Sequence, residues 1–417
     1  MTQANNFRKL ISSACATACI TSGALFAGDY SKAIIDDKMP IEDPWSICDI
    51  FDYATLYERE TGFIKEISLN GRYHGQYVTQ SEDLGGVSNG FNQWQDRRAR
   101  LGLDIVFGNG TEFFSSLNIS NSSGSLPGFT RARFFDNFDE IGLSHDFGNF
   151  DITAGKQKQK ITREYSTSSK RIKTIERSPI VNEVADKKPW GVTVGFETGE
   201  LQHTVGAWIT GLGSPTGLTN DWNWPRSDSR GSLSYNLEVP VSDVTDFYFD
   251  YVFVNNSEGT KQGRGSSRFG QDANYQHTLA LGTFSDLGRL DLTTDFILAF
   301  NRERSGLPGG GSTIPAGDNT LGVVIMPTYE ITEKLEAVFK YGYMESGQQQ
   351  RTQRFGDRLG SRLRVADYHT AYVGLNYYVC GDKFKVMAGY EYASGKQFGT
   401  GTDVDSSSWL FGVRTYF

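Results

Sequence analysis

Trp409-Leu410-Phe411-Gly412-Val413-Arg414-Thr415-Tyr416-Phe417 decides the fold class of this chain. Positions 409, 411, 413 and 417 are apolar or aromatic, and Gly412, Arg414 and Tyr416 stand between them. A period of two belongs to a strand with one apolar and one polar face. A strand that ends on an aromatic residue, with no polar tail, leaves an open edge unless its sheet closes on itself. The stretch predicts the last strand of a closed β-barrel, paired with the first.

Outward from there, the same alternation repeats back to about residue 63. Ile67, Leu69, Tyr73 and Tyr77 alternate with Ser68, Asn70, Arg72, His74 and Gln76. Ala99, Leu101, Leu103, Ile105 and Phe107 alternate with Arg98, Arg100, Gly102 and Asp104. Later runs fall at 192–196, 205–210, 247–254, 279–284, 290–300, 321–329, 335–343, 371–378 and 384–392.

The connectors alternate between short and long. Short ones include Gly108-Asn109-Gly110, Gly148-Asn149, Thr198-Gly199, Asp286-Leu287-Gly288, Thr332-Glu333, Cys380-Gly381-Asp382 and the stretch 239–245. Asn, Asp and Gly there supply the backbone angles of tight turns. Long ones fall near 79–92, 121–137, 158–188, 211–229, 256–272, 302–318, 346–366 and 394–406. Seven short turns and eight long loops require about sixteen strands, with short turns on the periplasmic rim and long loops outside. The predicted fold is all-β, a transmembrane antiparallel barrel over 63–417.

Composition agrees. Hydrophobic residues are only 38% while aromatics reach 13% and Gly numbers 47 of 417. A large helical or α/β core needs more aliphatic residues, whereas a barrel with a wet lumen needs one apolar face per strand. Arg8 and Lys9 followed by a small apolar run to Phe26 predict a signal peptide over 1–27, with cleavage after Ala24 or Ala27. Residues 28–62 form an N-terminal periplasmic segment. Within it, Trp45, Ile47, Cys48, Phe51, Ala54 and Leu56 have roughly helical spacing, with Asp43 as cap ahead of Pro44. After removal of Cys15 and Cys19 with the signal, Cys48 and Cys380 remain. Both belong at the periplasmic rim, so a disulfide between them and a pair of free thiols are both open.

Charge is concentrated. The chain carries net −8, yet residues 156–188 hold Lys156, Lys158, Lys160, Arg163, Lys170, Arg171, Lys173, Arg177, Lys187 and Lys188 against four carboxylates. A positive field in a narrow passage concentrates anions and rejects cations, so this third long loop is the candidate constriction. By parity Lys156 continues the lipid-facing row of Ile152 and Ala154. The lysines reach the pore only if the chain bends after Gly155; otherwise they snorkel at the interface or bind lipopolysaccharide phosphates. Arg72, Arg98 and Arg100 share lumen-facing parity and suit carboxylate or phosphate recognition, unless they pair with Asp96 or Asp104. Arg351, Arg354, Arg358, Arg362 and Arg364 form a third cluster in an external loop.

Catalytic and metal patterns are absent from the sequence. The five histidines are scattered, and no HExxH or nucleophile elbow occurs. No metal, no cofactor and no nucleic-acid partner is expected.

Two blocks carry a family resemblance. Arg97-Arg98-Ala99-Arg100-Leu101-Gly102-Leu103 is one, and Ala154-Gly155-Lys156-Gln157 leading into Thr167-Ser168-Ser169-Lys170 and Ile175-Glu176-Arg177-Ser178 is the other. Together with the ending 409–417, they resemble the phosphate-selective porin O/P family. The resemblance implies a water-filled, usually trimeric, anion-preferring outer-membrane pore, with Lys156, Lys170 and Arg177 in the block that binds phosphate. Its expected surroundings are outer-membrane lipid and lipopolysaccharide. Two other classes stay open at this point: a barrel enzyme of the phospholipase or protease type, and a secreted β-rich glycan-binding protein.

Overall fold

Each predicted turn tripeptide falls where an alternating run breaks, and each joins two antiparallel strands. The computed structural model describes residues 46–119, 137–185, 188–210, 230–255, 275–302, 319–351, 364–397 and 401–417. The predicted signal peptide lies outside these residues. So do most of the expected loops at 121–137, 211–229, 256–272, 302–318 and 346–366.

The strands are β1 (Thr55–Glu58), β2 (Ile64–Leu84), β3 (Val87–Phe107), β4 (Thr111–Asn118), β5 (Asn137–Asp146) and β6 (Phe150–Lys156). They continue with β7 (Trp190–Thr198), β8 (Leu201–Thr210), β9 (Arg230–Ser242), β10 (Thr245–Val254), β11 (Tyr275–Asp286) and β12 (Leu290–Arg302). The last five are β13 (Thr320–Thr332), β14 (Leu335–Arg351), β15 (Arg364–Tyr378), β16 (Phe384–Gln397) and β17 (Asp403–Tyr416). Each of β2 to β17 pairs with its successor, and β17 pairs back onto β2, so these sixteen antiparallel strands form a closed ring. Closure removes the free edge that the terminal strand would otherwise expose. Phe417 completes it: its N–H donates to Gly71 O at 3.1 Å, and Gly71 N donates to Phe417 O at 2.9 Å.

Alternation sorts the two faces. On β17, Trp409 and Phe411 are 58% and 53% exposed on the outer face, whereas Leu410 and Arg414 are buried inside. Among the described residues no helix is long and apolar enough to cross a membrane.

Three expectations need correction. The stretch 79–92 is not a long loop. β2 and β3 run 21 residues each to a two-residue turn at Gly85-Gly86, where φ is +59° and +88°. Positive φ at both central positions is the hairpin geometry that glycine permits. The polar residues Ser81, Asn89 and Asn92 that suggested a loop are paired strand residues on the tall part of the wall. Likewise 394–406 is mostly strand, with β16 reaching Gln397 and β17 starting at Asp403. Third, the N-terminal helix is a short 3-10 segment, Ile47–Ala54, capped by Ser46; Asp43, the expected cap, lies outside the described residues. Ser46 Oγ accepts from Cys48 N at 3.2 Å, and the Asp49 carboxylate accepts from Ser46 N at 2.8 Å, a reciprocal capping box. Residues 55–58 leave the helix as β1, which pairs with β2 below the end of β17.

Cys48 and Cys380 are joined by a disulfide with an S–S distance of 2.05 Å and a Cα–Cα distance of 5.5 Å. It ties the 3-10 segment to the turn between β15 and β16.

Candidate functional site

Between β6 and β7 the chain turns into the barrel. Gly155 has φ +146°, and a Cβ there would meet Ile141 O at 2.2 Å, so only glycine permits this exit from the wall. The inward loop, residues 157–189, carries two short helices, α1 (Arg163–Ser166) and α2 (Pro179–Val184).

The loop is held first by its own apolar residues. Ile161, Tyr165, Ile180, Val181 and Val184 pack with Val252, Val254, Ile297, Val324 and Met344 of the inner wall. Ile175 packs with Val78, Val338, Met387 and Leu410. The inner face of this half of the barrel is therefore apolar where the loop lies on it, unlike the uniformly wet lumen that composition suggested. Gly322 is required here, because a Cβ would lie 2.2 Å from Ile180 Cγ1.

Polar clamps then fix the loop. Thr162 caps α1, its hydroxyl accepting from Tyr165 N at 3.1 Å. The free N–H groups of Arg163 and Glu164 donate to the buried Asp295 carboxylate at 2.5 and 2.9 Å, satisfying donors that a helix start leaves open. At the other end, Lys158 Nζ donates to Tyr165 O at 3.0 Å and Thr167 O at 3.2 Å. Arg177 donates to Glu164 O at 3.1 Å and Thr167 O at 2.8 Å.

Glu164 is the hub. Its carboxylate accepts from Lys340 Nζ at 2.9 Å and from Ser178 N at 3.1 Å. The Lys340 and Glu164 side chains are 1% and 4% exposed. Burial pushes the Glu164 carboxyl up, but Lys340 and the Ser178 bonds outweigh it and hold the group below its ordinary value. Lys340 also donates to Thr174 Oγ1 at 3.0 Å and Glu176 O at 2.7 Å.

The other predicted loop cations are spread over the wall. Lys156 Nζ donates to Phe138 O at 2.6 Å on β5. Lys160 is half-buried, within electrostatic reach of Asp151 and Asp250. The Arg163 guanidinium lies 4.4 Å from the Tyr248 ring centroid. Lys170 sits 4.9 Å from the Tyr416 ring, and Arg171 is exposed. Lys173 pairs with Glu336. Lys187 lies outside the described residues, and Lys188 pairs with Asp139 and Glu140. Thus the chain does bend inward after Gly155, but most of these charges bind the loop itself or the wall. Of the outer cluster, Arg351 and Arg364 end β14 and β15 as paired residues; Arg354, Arg358 and Arg362 lie outside the described residues.

The wall formed by β2, β3 and β17 is basic. Arg72, Arg98 and Arg100 all face the lumen, joined there by Arg97 and Arg414. A β-bulge explains Arg97: the register skips from His74↔Arg98 to Gly75↔Asp96, so Arg97 is the extra residue and need not alternate. It reaches Glu176 of the loop at 2.6 and 3.2 Å while 46% exposed. Burial pushes the Glu176 carboxyl up, but the Arg97 charge and bond outweigh it and bring the group down to about 2. The same bulge leaves Asp96 on the outer face, bound to Tyr73 OH at 2.7 Å and Trp94 Nε1 at 2.9 Å. Asp96 therefore cannot neutralise the arginines; Arg100 pairs instead with Asp139 at 2.7 Å, and Asp104 accepts from Asn70 at 2.8 Å. Among the described residues no carboxylate pairs with Arg72, Arg98 or Arg414. Sequence reasoning missed Arg97, Arg414, Glu164 and Lys340. The doublet Arg97-Arg98, a break in strict alternation, was the one visible sign of a bulge.

This arrangement is a barrel whose lumen is crossed by a clamped loop facing a basic wall. The sequence matches the family profile described as phosphate-selective porin O and P over residues 67–288. No curated protein matches it. Among solved structures, the outer membrane channel DcaP of Acinetobacter baumannii superposes with TM-score 0.55 at 14% identity, covering 87% of this chain and 99% of that one. The anion-selective porin from Comamonas acidovorans gives 0.54 at 12%, covering 84% and 99%. OmpT of Vibrio cholerae gives 0.53 at 10%, covering 87% and 100%. At such identities the likeness is one of fold. The profile spans more than half of the chain, and with the closed sixteen-strand ring it places this protein in the phosphate-selective porin O and P family, as a channel of the bacterial outer membrane.

Proposed function

We propose that the channel prefers small anions such as phosphate, works by passive diffusion and not as an enzyme, and assembles as a homotrimer amid outer-membrane lipid and lipopolysaccharide. The observation that carries the anion preference is the wall of Arg72, Arg97, Arg98, Arg100 and Arg414 facing the inward loop, with guanidinium groups in excess of carboxylates. In a passage bounded by low-dielectric walls such a field enriches anions and repels cations. The Comamonas channel of the same fold is named as anion-selective, which supports the reading.

The enzyme alternative finds no support in the histidines. His74 contacts Arg98, His145 contacts Thr111, and His203 contacts Thr198 and Tyr235. His277 and His369 contact Tyr251 and Tyr341. None of these arrangements joins a histidine to a serine nucleophile or an orienting carboxylate.

Reversal potentials across planar bilayers test the reading, in potassium chloride and then potassium phosphate gradients. The expected sign is that of anion selectivity in both; cation selectivity would overturn it.

A further inference from the structure

Below the last strand, the rim carries an apolar ridge turned away from the barrel. The 3-10 segment Ile47–Ala54 completes a turn every three residues, so residues three apart stack into ridges. One ridge, Cys48, Phe51 and Ala54, faces the barrel: Cys48 is bonded to Cys380, and Phe51 and Ala54 are only 8% and 6% exposed. The second holds the capping pair Ser46 and Asp49. The third is Ile47, Ile50 and Tyr53, which are 52%, 56% and 75% exposed. Leu56 of β1, three residues further on, is exposed as well. A row of large apolar side chains presented together is unlike the scattered exposed residue that any surface carries.

The surroundings say what covers it. β1 stands in the wall itself: Thr55 and Tyr57 oppose Ser68 and Ile67 of β2, below Gly71, where Phe417 ends the ring. Ile67 belongs to the lipid-facing row, so β1 carries that surface downward toward the ridge. Beside it the exposed Phe63 packs against Phe107, with ring centroids 5.4 Å apart. Elsewhere on the rim Phe147, Val241, Val244, Leu287 and Ile331 stand exposed at or next to the short turns. The apolar surface therefore reaches down to the level of the turns. The turn 380–382 has no exposed apolar residue of its own, and the disulfide holds the 3-10 segment to this turn. The ridge supplies in that sector the apolar surface that other turns carry themselves.

We propose that Ile47, Ile50, Tyr53 and Leu56 dock into glycerophospholipid of the inner leaflet, so that the 3-10 segment lies in the membrane surface as an interfacial anchor. An apolar ridge flanked by a polar one is the arrangement that settles at the boundary of headgroups and acyl chains. Tyr suits that depth, with its ring among the chains and its hydroxyl among the headgroups. The disulfide near one end and β1 at the other already fix the segment, so little conformational freedom is lost on docking. Lipid is favoured over a second copy of this chain because the ridge is one arc of an apolar surface that continues around the rim. The inference rests on the placement of the barrel in the outer membrane and is independent of its anion preference.

The test replaces Tyr53 with the photoreactive p-benzoylphenylalanine. The full channel is reconstituted in vesicles of phosphatidylethanolamine and phosphatidylglycerol, irradiated, digested and analysed by mass spectrometry for lipid adducts. The same probe at Phe411, on the lipid-facing side of β17, and at Glu60, in the exposed link between β1 and β2, sets the scale. Adduct yield at position 53 should match that at 411 and exceed that at 60 about tenfold. Adding Ile50→Asp should lower the yield at 53 roughly fivefold, by placing a charge in the ridge, while heat-modified migration stays unchanged. Should the position-53 variant fail to assemble, Ile47 carries the probe instead. Adducts at 411 without adducts at 53 overturn the proposal. Cross-links from one chain to another in place of lipid adducts do so too, and assign the ridge to a second copy. A yield at 53 indifferent to Ile50→Asp also overturns it. Absence of adducts at both 411 and 53 would instead strike the membrane placement of the barrel, and this proposal with it.

Discussion

The inward loop and the wall it faces are both basic, and they use their charge in opposite ways. Lys158, Lys173, Arg177 and Lys188 of the loop are bound to helix-end carbonyls or carboxylates. Burial and the nearby Arg177 push the Lys158 ammonium well below its ordinary range. On the wall, Arg97 stays half-exposed, and Arg72, Arg98 and Arg414 have no carboxylate partner among the described residues. A cluster of cations in sequence is therefore no measure of the field in a pore. The field comes from those cations that the fold leaves uncompensated.

The largest expected effect breaks the clamp behind this contrast. Glu164→Gln leaves Lys340 buried without its counter-charge, and removing one partner of a buried pair costs about 3–5 kcal/mol. Heat-modified migration should occur at lower temperature and single-channel conductance should rise as the loop leaves the wall. An unchanged midpoint would show that the apolar contacts alone hold the loop. Next, Arg97→Gln removes the exposed wall cation and frees Glu176. Reversal potentials should show the anion-to-cation permeability ratio falling roughly threefold to tenfold, the Coulomb effect of one charge about 6 Å away in a wet passage. A smaller change than that seen for loop variants would invert the contrast.

A pH titration gives the third effect. Burial, then the Arg72 charge, lower the Lys170 ammonium to about 8. Below pH 8 the group is charged, and above it is neutral, so anion preference should decline between pH 7 and 9. Lys170→Met should abolish that decline. The stability sign is opposite: from about pH 8 up to the unfolded lysine value the unfolded chain binds more protons, so this group's contribution rises with pH. The smallest effect is that of Lys158→Met. Because this lysine is bound to α1 carbonyls, selectivity should change by less than about twofold. A larger change would place Lys158 in the conduction path.

Much of the fold is legible in the sequence because a barrel strand has one face in lipid. Ala99, Leu101 and Leu103, or Trp409 and Phe411, must alternate with inward residues, and the Gly-Asn-Gly and Asp-Leu-Gly turns mark the rim. Legibility ends where alternation is not the deciding force. The hairpin over 79–92 is polar because it rises above the apolar belt, and polarity alone resembles a loop. The inner apolar face of Ile297, Ala299 and Val324 looks like a blurred alternation until Ile180 and Val181 are seen against it. The site was half visible. Arg72, Arg98 and Arg100 follow from parity, but Arg97 depends on a bulge. The partners of the loop lysines lie far away in the chain: Tyr378 is 205 positions from Lys173. No local pattern encodes such pairings.

The Cys48–Cys380 bond has a consequence for assembly. It joins positions 332 residues apart, and closing a free loop of that length costs about 6 kcal/mol of chain entropy. An oxidising periplasm lets the bond form before any strand enters the membrane. A chain oxidised at this pair before insertion would enter assembly already closed into a circle. For such a chain the last step, β17 meeting β2, is a contact between near neighbours and no longer a search across the whole polypeptide.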